Sequence, residues 1–222
     1  MTKQERLALM QEKHNTMMAF DAEYRQSGKI IVAGIDEAGR GPLAGPVVTA
    51  CAVLPEDFDV IGVDDSKKLS EKRREELFEK ILNNSLAYGI GIADNNLIDD
   101  VNILQATKIA MQDALEKADA MLYEKTGMRI GHVLLDAVEL KDLELPQSAI
   151  IKGDAKSLSI AAASILAKVT RDRMMMENHE KYPYYAFDSN KGYGTKAHYE
   201  GIAEHGITPI HRKTFLKNLD LK

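Results

Sequence analysis

The sequence predicts an α/β fold in which helices flank a mixed five-stranded sheet and a helical region follows at the C-terminus. Short apolar runs alternate with longer helical patterns beyond the third strand, which is typical of α/β packing with some parallel pairing. A short Gly- and Pro-rich segment joins the first two apolar runs, as in an antiparallel pair. The length of 222 residues and the hydrophobic content of 45% suit one domain of ordinary size.

Five strands are expected, because five apolar runs are too short to be helices. They cover residues 30–36, 47–54, 87–93, 132–137 and 149–154. Two glycines in the third run, AYGIGIA, weaken it as a strand or let another part of the chain approach closely.

Helices are expected between and after these strands. They cover residues 71–83, 102–125, 156–180 and 196–205. Ser70 can cap the first of these and Gly127 can stop the second. Small residues in IAAASILAKV predict close packing of the third against the sheet. Residues 3–28 predict a further helix, so residues 1–28 are interpreted as an N-terminal helical extension and residues 29–222 as the main domain.

Composition narrows the class of protein. Cys51 is the one cysteine, so an internal disulfide is impossible and a reducing compartment fits best. No apolar run approaches the roughly 18 residues that a membrane span needs, and the first residues carry charges where a signal peptide is apolar. We therefore expect a soluble cytoplasmic protein.

Charge is distributed unevenly along the chain, whose net charge is −5. Residues 1–149 carry 17 Lys+Arg against 26 Asp+Glu, whereas residues 150–222 carry 12 against 8. The basic last third could bind an anionic backbone. Ordinary variation in surface charge explains the same counts equally well.

Acidic residues end three of the predicted strands. Asp36 and Glu37 end the first, Asp136 the fourth and Asp154 the fifth. Such a residue is usually only the first solvated position, but three together indicate a site at the strand ends. Clustered carboxylates repel unless a hard cation such as Mg²⁺ or Mn²⁺ lies between them. Glu37 can face that site only if the strand has ended or bulged there, because strand side chains alternate.

A glycine-rich loop follows the first acids. Gly39 and Gly41 flank Arg40, and glycine lets backbone groups touch a ligand, although a GxG triplet alone more often marks a tight turn. Lys67 could contact phosphate, and Tyr193 lies between glycines, where its ring could stack on a sugar or base. The alternative interpretation is surface lysines and a turn tyrosine.

Seven blocks of this sequence resemble, in order, those of bacterial ribonuclease HII. They are GIDEAGRGPLAGPV, DDSKKLS, NILQATKIAM, LLDA, KGDAKSLSIAAASILAKVTRD, NKGYGTKAH and TPIHRKTF. The resemblance spans about residues 29–218. Ribonuclease HIII shares the strand-end acids but lacks the Gly-Arg-Gly triplet, so Gly39-Arg40-Gly41 favours HII.

The resemblance implies a ribonuclease H-like fold and an endonuclease, acting as a monomer on RNA–DNA hybrids and on single ribonucleotides embedded in duplex DNA. It implies two Mn²⁺ or Mg²⁺ ions, about 3.5–4 Å apart in such sites, that activate water and stabilise the leaving 3′ oxygen. The implied catalytic metal ligands are Asp36, Glu37, Asp136 and Asp154. The implied substrate-binding residues are Gly39, Arg40, Gly41, Lys67 and Tyr193.

Two other functions remain open from the residues alone. Another metal-dependent nuclease or polynucleotidyl transferase of the same fold, such as a junction resolvase, would share the strand-end acids but not the glycine-rich loop or the KGYGT block. A hybrid-binding module without activity would have lost at least one acid, and all four are present. The C-terminal KTFLKNLDLK shows no recognisable sliding-clamp peptide, so clamp binding is not inferred.

Overall fold

In this computed structural model, helices pack against both faces of the sheet. The structure describes residues 2–26, 28, 30–141 and 143–217. The strands are β1 (Ile31–Ala38), β2 (Val47–Val53), β3 (Ala87–Ala93), β4 (Ile130–Asp136) and β5 (Gln147–Ile150). The helices are α1 (Lys3–Tyr24), α2 (Glu71–Asn84), α3 (Asn95–Val101), α4 (Ile103–Thr126), α5 (Leu158–Lys181), α6 (Phe187–Asn190) and α7 (Lys196–His205). None of the described helices is both long enough and apolar enough to cross a bilayer.

The sheet has the order β3-β2-β1-β4-β5. The pairs β1–β2 and β2–β3 are antiparallel, and β1–β4 and β4–β5 are parallel. This confirms the predicted mixed sheet and its antiparallel first pair. Because β1 and β4 are parallel neighbours and Ile35 pairs with Leu135, the carboxyl ends of both strands meet at one edge.

Glycines in β1 and β3, which have no side chain, let α5 and α4 approach the sheet closely. A Cβ on Gly34 of β1 would lie 2.2 Å from the backbone of Ser159 in α5. A Cβ on Gly89 or Gly91 of β3 would lie 2.0 or 1.9 Å from backbone oxygens of α4. The glycines of the third strand therefore serve close packing, the second of the two roles that the sequence allowed.

Several predicted boundaries were wrong, and one helix was missed. The fifth strand ends at Ile150 rather than 154, because Lys152 adopts a left-handed conformation (φ 57°) and a 3-10 turn over Gly153–Ala155 follows. The first strand runs on through Ala38, so Asp36 lies within it. A separate helix, α3, precedes the expected helix 102–125, and Asn102 (φ 72°) divides the two. The N-terminal helix ends at Tyr24 rather than 28.

The N-terminal helix is anchored to α5. Asp21 is 1% exposed, and its Oδ2 accepts hydrogen bonds from the amide and the hydroxyl of Ser159 at 2.9 and 2.8 Å. Ser157 caps the same helix through the amide of Ile160. Burial raises the pKa of Asp21, and the bonds to Ser157 and Ser159 oppose that rise. Asp21 therefore ties α1 to the segment that follows Asp154.

Candidate active site

Three carboxylates meet at the edge where β1 and β4 end. One oxygen each of Asp36, Asp136 and Asp154 lies within 4.8 Å of the others, and we call these the three-carboxylate group. Asp136 is the last residue of β4, and Asp154 lies in the 3-10 turn before α5. The amide of Gly153 donates to Oδ1 of Asp136 at 2.7 Å, which fixes this turn against the strand end.

The group is electrostatically unfavourable without a counter-ion. Burial, the charge of Glu37 and the charge of Asp136 raise the pKa of Asp36 well above its usual range. Burial and the charges of Asp65 and Asp136 raise the pKa of Asp154. A set of carboxylate oxygens that repel one another is the donor set that hard divalent cations prefer. These residues therefore fit Mg²⁺ or Mn²⁺ on chemical grounds.

Glu37 lies beside the three-carboxylate group and is not a member of it. The expected end or bulge of the strand is absent, since Glu37 pairs in regular register with Thr49. Its Oε1 faces Arg40 at 3.4 Å, and its Oε2 is buried with no hydrogen-bond partner among the described residues. Burial raises the pKa of Glu37, and the Arg40 guanidinium opposes that rise. One carboxylate oxygen is thus left free beside the acids.

Lys67 lies among the acids and Lys68 lies apart from them. Burial alone would lower the pKa of the Lys67 amine, but surrounding carboxylates, led by Asp36 and Asp154, raise it. The Lys68 side chain is 55% exposed and faces Asp64 and Asp65 at 3.9 and 3.8 Å. Only the first of these adjacent lysines therefore lies beside the three-carboxylate group.

Two buried arginines hold the loop over residues 39–46, which we call the recognition loop. The Arg212 guanidinium donates to the carbonyls of Gly39, Arg40 and Gly45 at 2.6, 2.9 and 2.9 Å. The Arg171 guanidinium donates to Ala44, Pro46 and Lys191 at 3.3, 2.9 and 2.9 Å. Arg171 is 1% exposed and Arg212 is 0% exposed. Backbone oxygens, rather than carboxylates, thus supply most of the contacts to these two charges.

The two loop glycines differ in what they tolerate. Gly39 has φ +96°, and a Cβ there would lie 1.9 Å from Nε of Arg171. Gly41 has no such constraint, and its Cβ would meet only Cε1 of Tyr193 at 3.5 Å, an ordinary contact. Gly39 is therefore required by the fold, whereas Gly41 leaves open space at the surface of the loop.

Tyr193 lies against this surface with 48% of its area exposed. A cavity of about 300 Å³ opens between the loop, the Lys67 turn and α5. Its lining includes most of the residues that the sequence singled out, and the remainder come mainly from α5. They are Glu37, Ala38, Gly39, Arg40, Gly41, Ser66, Lys67, Ser164, Lys168, Arg171 and Tyr193.

The family model described as Ribonuclease HII matches residues 33–218. The chain belongs to the ribonuclease HII family. A relative named Ribonuclease HII from Clostridioides difficile is 51% identical over 212 residues, covering 94% of this chain and 79% of the relative. Another from Ligilactobacillus salivarius is 55% identical over 184 residues, covering 83% and 69%. This ribonuclease HII family member is thus a ribonuclease of the H type, which favours that interpretation over a resolvase-like nuclease and over the inactive binding module.

Solved structures of the family share its fold. Ribonuclease H2 from Pyrococcus horikoshii is 30% identical with a TM-score of 0.64, covering 83% of this chain and 93% of that one. Ribonuclease HII of Archaeoglobus fulgidus, solved in a PCNA complex, is 28% identical with a TM-score of 0.68, covering 86% and 97%. The predicted ribonuclease H-like architecture is confirmed.

Sequence reasoning missed the residues that support the site. Arg171 and Arg212 lie in two of the seven blocks, but no role was predicted for either, because nothing in one sequence marks an arginine as buried. Asp65 was also overlooked, although it caps the turn of Lys67 and lies close enough to Asp154 to raise its pKa. The two adjacent acids in DDSKKL were the sequence signal that could have identified Asp65.

Proposed function

We propose that this ribonuclease HII family member hydrolyses the RNA strand of RNA–DNA hybrids and nicks duplex DNA on the 5′ side of a single embedded ribonucleotide. The products are a 3′-OH and a 5′-phosphate. The observation that carries this proposal is the meeting of two different features at one edge of the sheet. The three-carboxylate group lies next to Glu37 and Lys67, and these two residues line a cavity together with Gly39, Arg40, Gly41 and Tyr193.

Asp36, Asp136 and Asp154, with Glu37 beside them, would hold two Mg²⁺ or Mn²⁺ ions. Such ions supply a reactive water at neutral pH and stabilise the charge on the leaving 3′ oxygen. The buried Oε2 of Glu37, which has no hydrogen-bond partner among the described residues, and the raised pKa of Asp36 both support this assignment, because a cation could satisfy both groups.

The recognition loop offers amide donors for the 2′-OH of the ribose. In a planar trans peptide the carbonyl and the following N–H point in opposite directions. The buried Arg212 guanidinium donates to the carbonyls of Gly39 and Arg40, so these carbonyls point into the protein interior. The amides of Arg40 and Gly41 therefore point away from the interior. The 2′-OH is the group that distinguishes RNA from DNA, and it can accept from such donors.

Tyr193 and the basic residues complete the substrate contacts. The exposed Tyr193 ring, next to Gly41, would stack on the deoxyribose that follows the ribonucleotide. Lys67 would contact phosphate beside the acids. Arg40, Lys168 and Arg171 also line the cavity, and their positive charges would attract the nucleic-acid backbone.

The experiment compares cleavage of a DNA duplex with one internal ribonucleotide against its all-deoxy counterpart, in Mg²⁺, in Mn²⁺ and in chelator. We expect one nick 5′ of the ribonucleotide, no cleavage of the all-deoxy duplex and none in chelator. Cleavage in chelator, or of the all-deoxy duplex at the same rate, would overturn the proposal.

Tyr193→Ala adds a test of junction sensing. Loss of stacking, worth about 1–3 kcal/mol, should slow single-ribonucleotide cleavage about 5- to 150-fold and affect a continuous hybrid less. Tyr123→Ala is the matched control, because Tyr123 is 52% exposed on α4 and is absent from the cavity lining. Equal losses on both substrates for Tyr193→Ala would leave Tyr193 as a packing residue.

A further inference from the structure

Two buried histidines lie behind Tyr193. His198 of α7 is 0% exposed and His211 is 1% exposed, and their Nε2 atoms are 3.0 Å apart. The rings of Tyr185 and Phe187 pack edge-on against them, with ring centroids 5.2 Å (Tyr185–His211) and 5.1 Å (Phe187–His198) apart. Because both side chains are fully buried, neither is positioned to touch substrate.

Hydrogen bonding fixes the direction of this pair. The amide of Thr208 donates to Nδ1 of His211 at 2.9 Å, so Nδ1 is an acceptor and the His211 proton lies on Nε2. Nε2 of His211 therefore donates to Nε2 of His198. The proton of His198 then lies on Nδ1, which donates to the backbone carbonyl of Tyr193 at 2.9 Å.

Both rings are neutral in this arrangement. A charged His211 would turn its Nδ1 into a donor that faces the amide of Thr208, and a charged His198 would face the Nε2 proton of His211. Burial lowers the pKa of His198, and burial with the neighbouring His198 lowers the pKa of His211 to about 4.

We propose that the His198–His211 pair is a positioning device that holds the Tyr193 turn in register with the recognition loop. The segment that carries His211 is tied to the loop on its other side: Arg212 donates its amide to Leu43 at 2.8 Å, and Gly45 donates to Ile210 at 2.9 Å. One short segment thus fixes the loop that faces the 2′-OH and, through His198, the tyrosine that faces the next sugar.

The backbone of Tyr193 is held while its ring stays exposed. Gly192 and Gly194 flank it, so side-chain packing at these neighbours does not fix the turn. The histidine contact reaches the carbonyl of Tyr193 from the interior and leaves the ring free for stacking. This inference rests on the proposed role of Tyr193, and its competitor is that the histidines only fill the core.

Two variants of His211 separate these explanations. In His211→Asn, Oδ1 can still accept from Thr208, but the donor to His198 is lost. In His211→Gln, the side-chain amide reaches the position of Nε2 and keeps that donor. Phe187→Leu is the control, because it disturbs the same cluster and leaves the hydrogen bonds intact.

We expect His211→Asn to slow single-ribonucleotide cleavage about fivefold or more, the lower end of what stacking supplies, and a continuous hybrid less. His211→Gln should recover most of that loss, and Phe187→Leu should lower both activities in the same ratio. In a Tyr193→Ala background, His211→Asn should add little. Equal losses on the two substrates, or losses that add fully to Tyr193→Ala, would overturn the proposal.

Nitrogen-15 NMR of the histidine rings in the unmodified protein tests the pair without any substrate. We expect protonated Nδ1 in His198 and protonated Nε2 in His211 at neutral pH. The opposite tautomers, or a charged ring, would overturn the positioning device even if Tyr193 reads the junction. If Tyr193→Ala shows no substrate preference while the tautomers are as expected, the failure lies in the proposed role of Tyr193.

Discussion

The three-carboxylate group and the recognition loop lie side by side, yet the fold holds them by different means. The acids lie near the edge where β1 and β4 end, where they repel one another, and the pKa values of Asp36 and Asp154 are raised. The loop is held through its backbone, by two buried guanidiniums that donate to carbonyls. Burial also lowers the pKa of Arg171 to about 10 and that of Arg212 to about 9, but these two charges donate hydrogen bonds that hold the loop, whereas the acids repel one another.

This difference predicts opposite responses to substitution. Removing one acid relieves repulsion and desolvation, so we expect activity to fall while the stability of the fold is kept. Removing one arginine leaves buried carbonyls without donors, so its main effect is to lower the free energy of unfolding. Four predictions test this contrast.

Asp136→Asn should have the largest effect on activity. We expect cleavage to fall at least about 10³-fold, ~4 kcal/mol in the barrier, because the variant loses a carboxylate that we propose as a metal ligand. The melting temperature without metal should hold or rise. Single-turnover cleavage and thermal unfolding in chelator measure the two quantities, and near-normal turnover would remove Asp136 from the catalytic group.

Arg212→Met should have the largest effect on stability. Three backbone carbonyls lose their donor, so we expect the free energy of unfolding to fall by about 3 kcal/mol or more. Arg173→Met is the matched control on α5, because Arg173 is 46% exposed and pairs with Glu75 and Glu79 at the surface. That variant should change stability by about 0.5 kcal/mol or less. Similar values for the two in urea unfolding would show that the buried arginine does not hold the loop.

Gly39→Ala and Gly41→Ala should differ although they lie two residues apart. Gly39→Ala should lower the free energy of unfolding by about 1–3 kcal/mol, because of its positive φ and its clash with Arg171. Gly41→Ala should leave the melting temperature unchanged and still slow cleavage of every substrate, since its Cβ enters the space next to Tyr193. Full activity in a well-folded Gly41→Ala protein would show that substrate does not approach this backbone.

The smallest expected effect is a pH dependence of stability without metal. Since the pKa of Asp36 is raised in the fold, the unfolded chain loses this proton first as pH rises above about 4, so stability is lost up to the folded pKa. The buried histidines act oppositely below about pH 6.5, so the difference between wild type and Asp36→Asn isolates the carboxyl. We expect Asp36→Asn to gain a few degrees in melting temperature at pH 7 and little at pH 4. A constant difference across this range would contradict the assigned shift.

Local sequence signals predicted the bounds of those helices and strands that have the clearest residue pattern. The bounds of β3 and α7 agree with the structure, because turn residues flank a clear pattern in each case. The last strand was overextended because AIIKGD continues the apolar run, while the turn at Lys152 and Gly153 depends on neighbouring contacts. The polar start of NNLIDDV concealed α3 for a similar reason.

The candidate site was predictable only where its residues lie at or near the ends of neighbouring strands. Asp36 and Asp136 could be placed together because parallel strands end at one edge. Arg212 and Gly39 are 173 positions apart, and no local pattern joins them. The two histidines are only 13 positions apart, but one lies on α7 and the other on the segment after it, and no periodic pattern joins them.

The central claim is that the recognition loop reads the 2′-OH independently of the acids that cut. Equilibrium binding of Asp136→Asn to a duplex with one ribonucleotide and to its all-deoxy counterpart, both in Mg²⁺, tests it most directly. The account predicts tighter binding of the ribonucleotide duplex, at least about fivefold or ~1 kcal/mol, with no cleavage. Equal affinity for the two duplexes in a folded protein would contradict it.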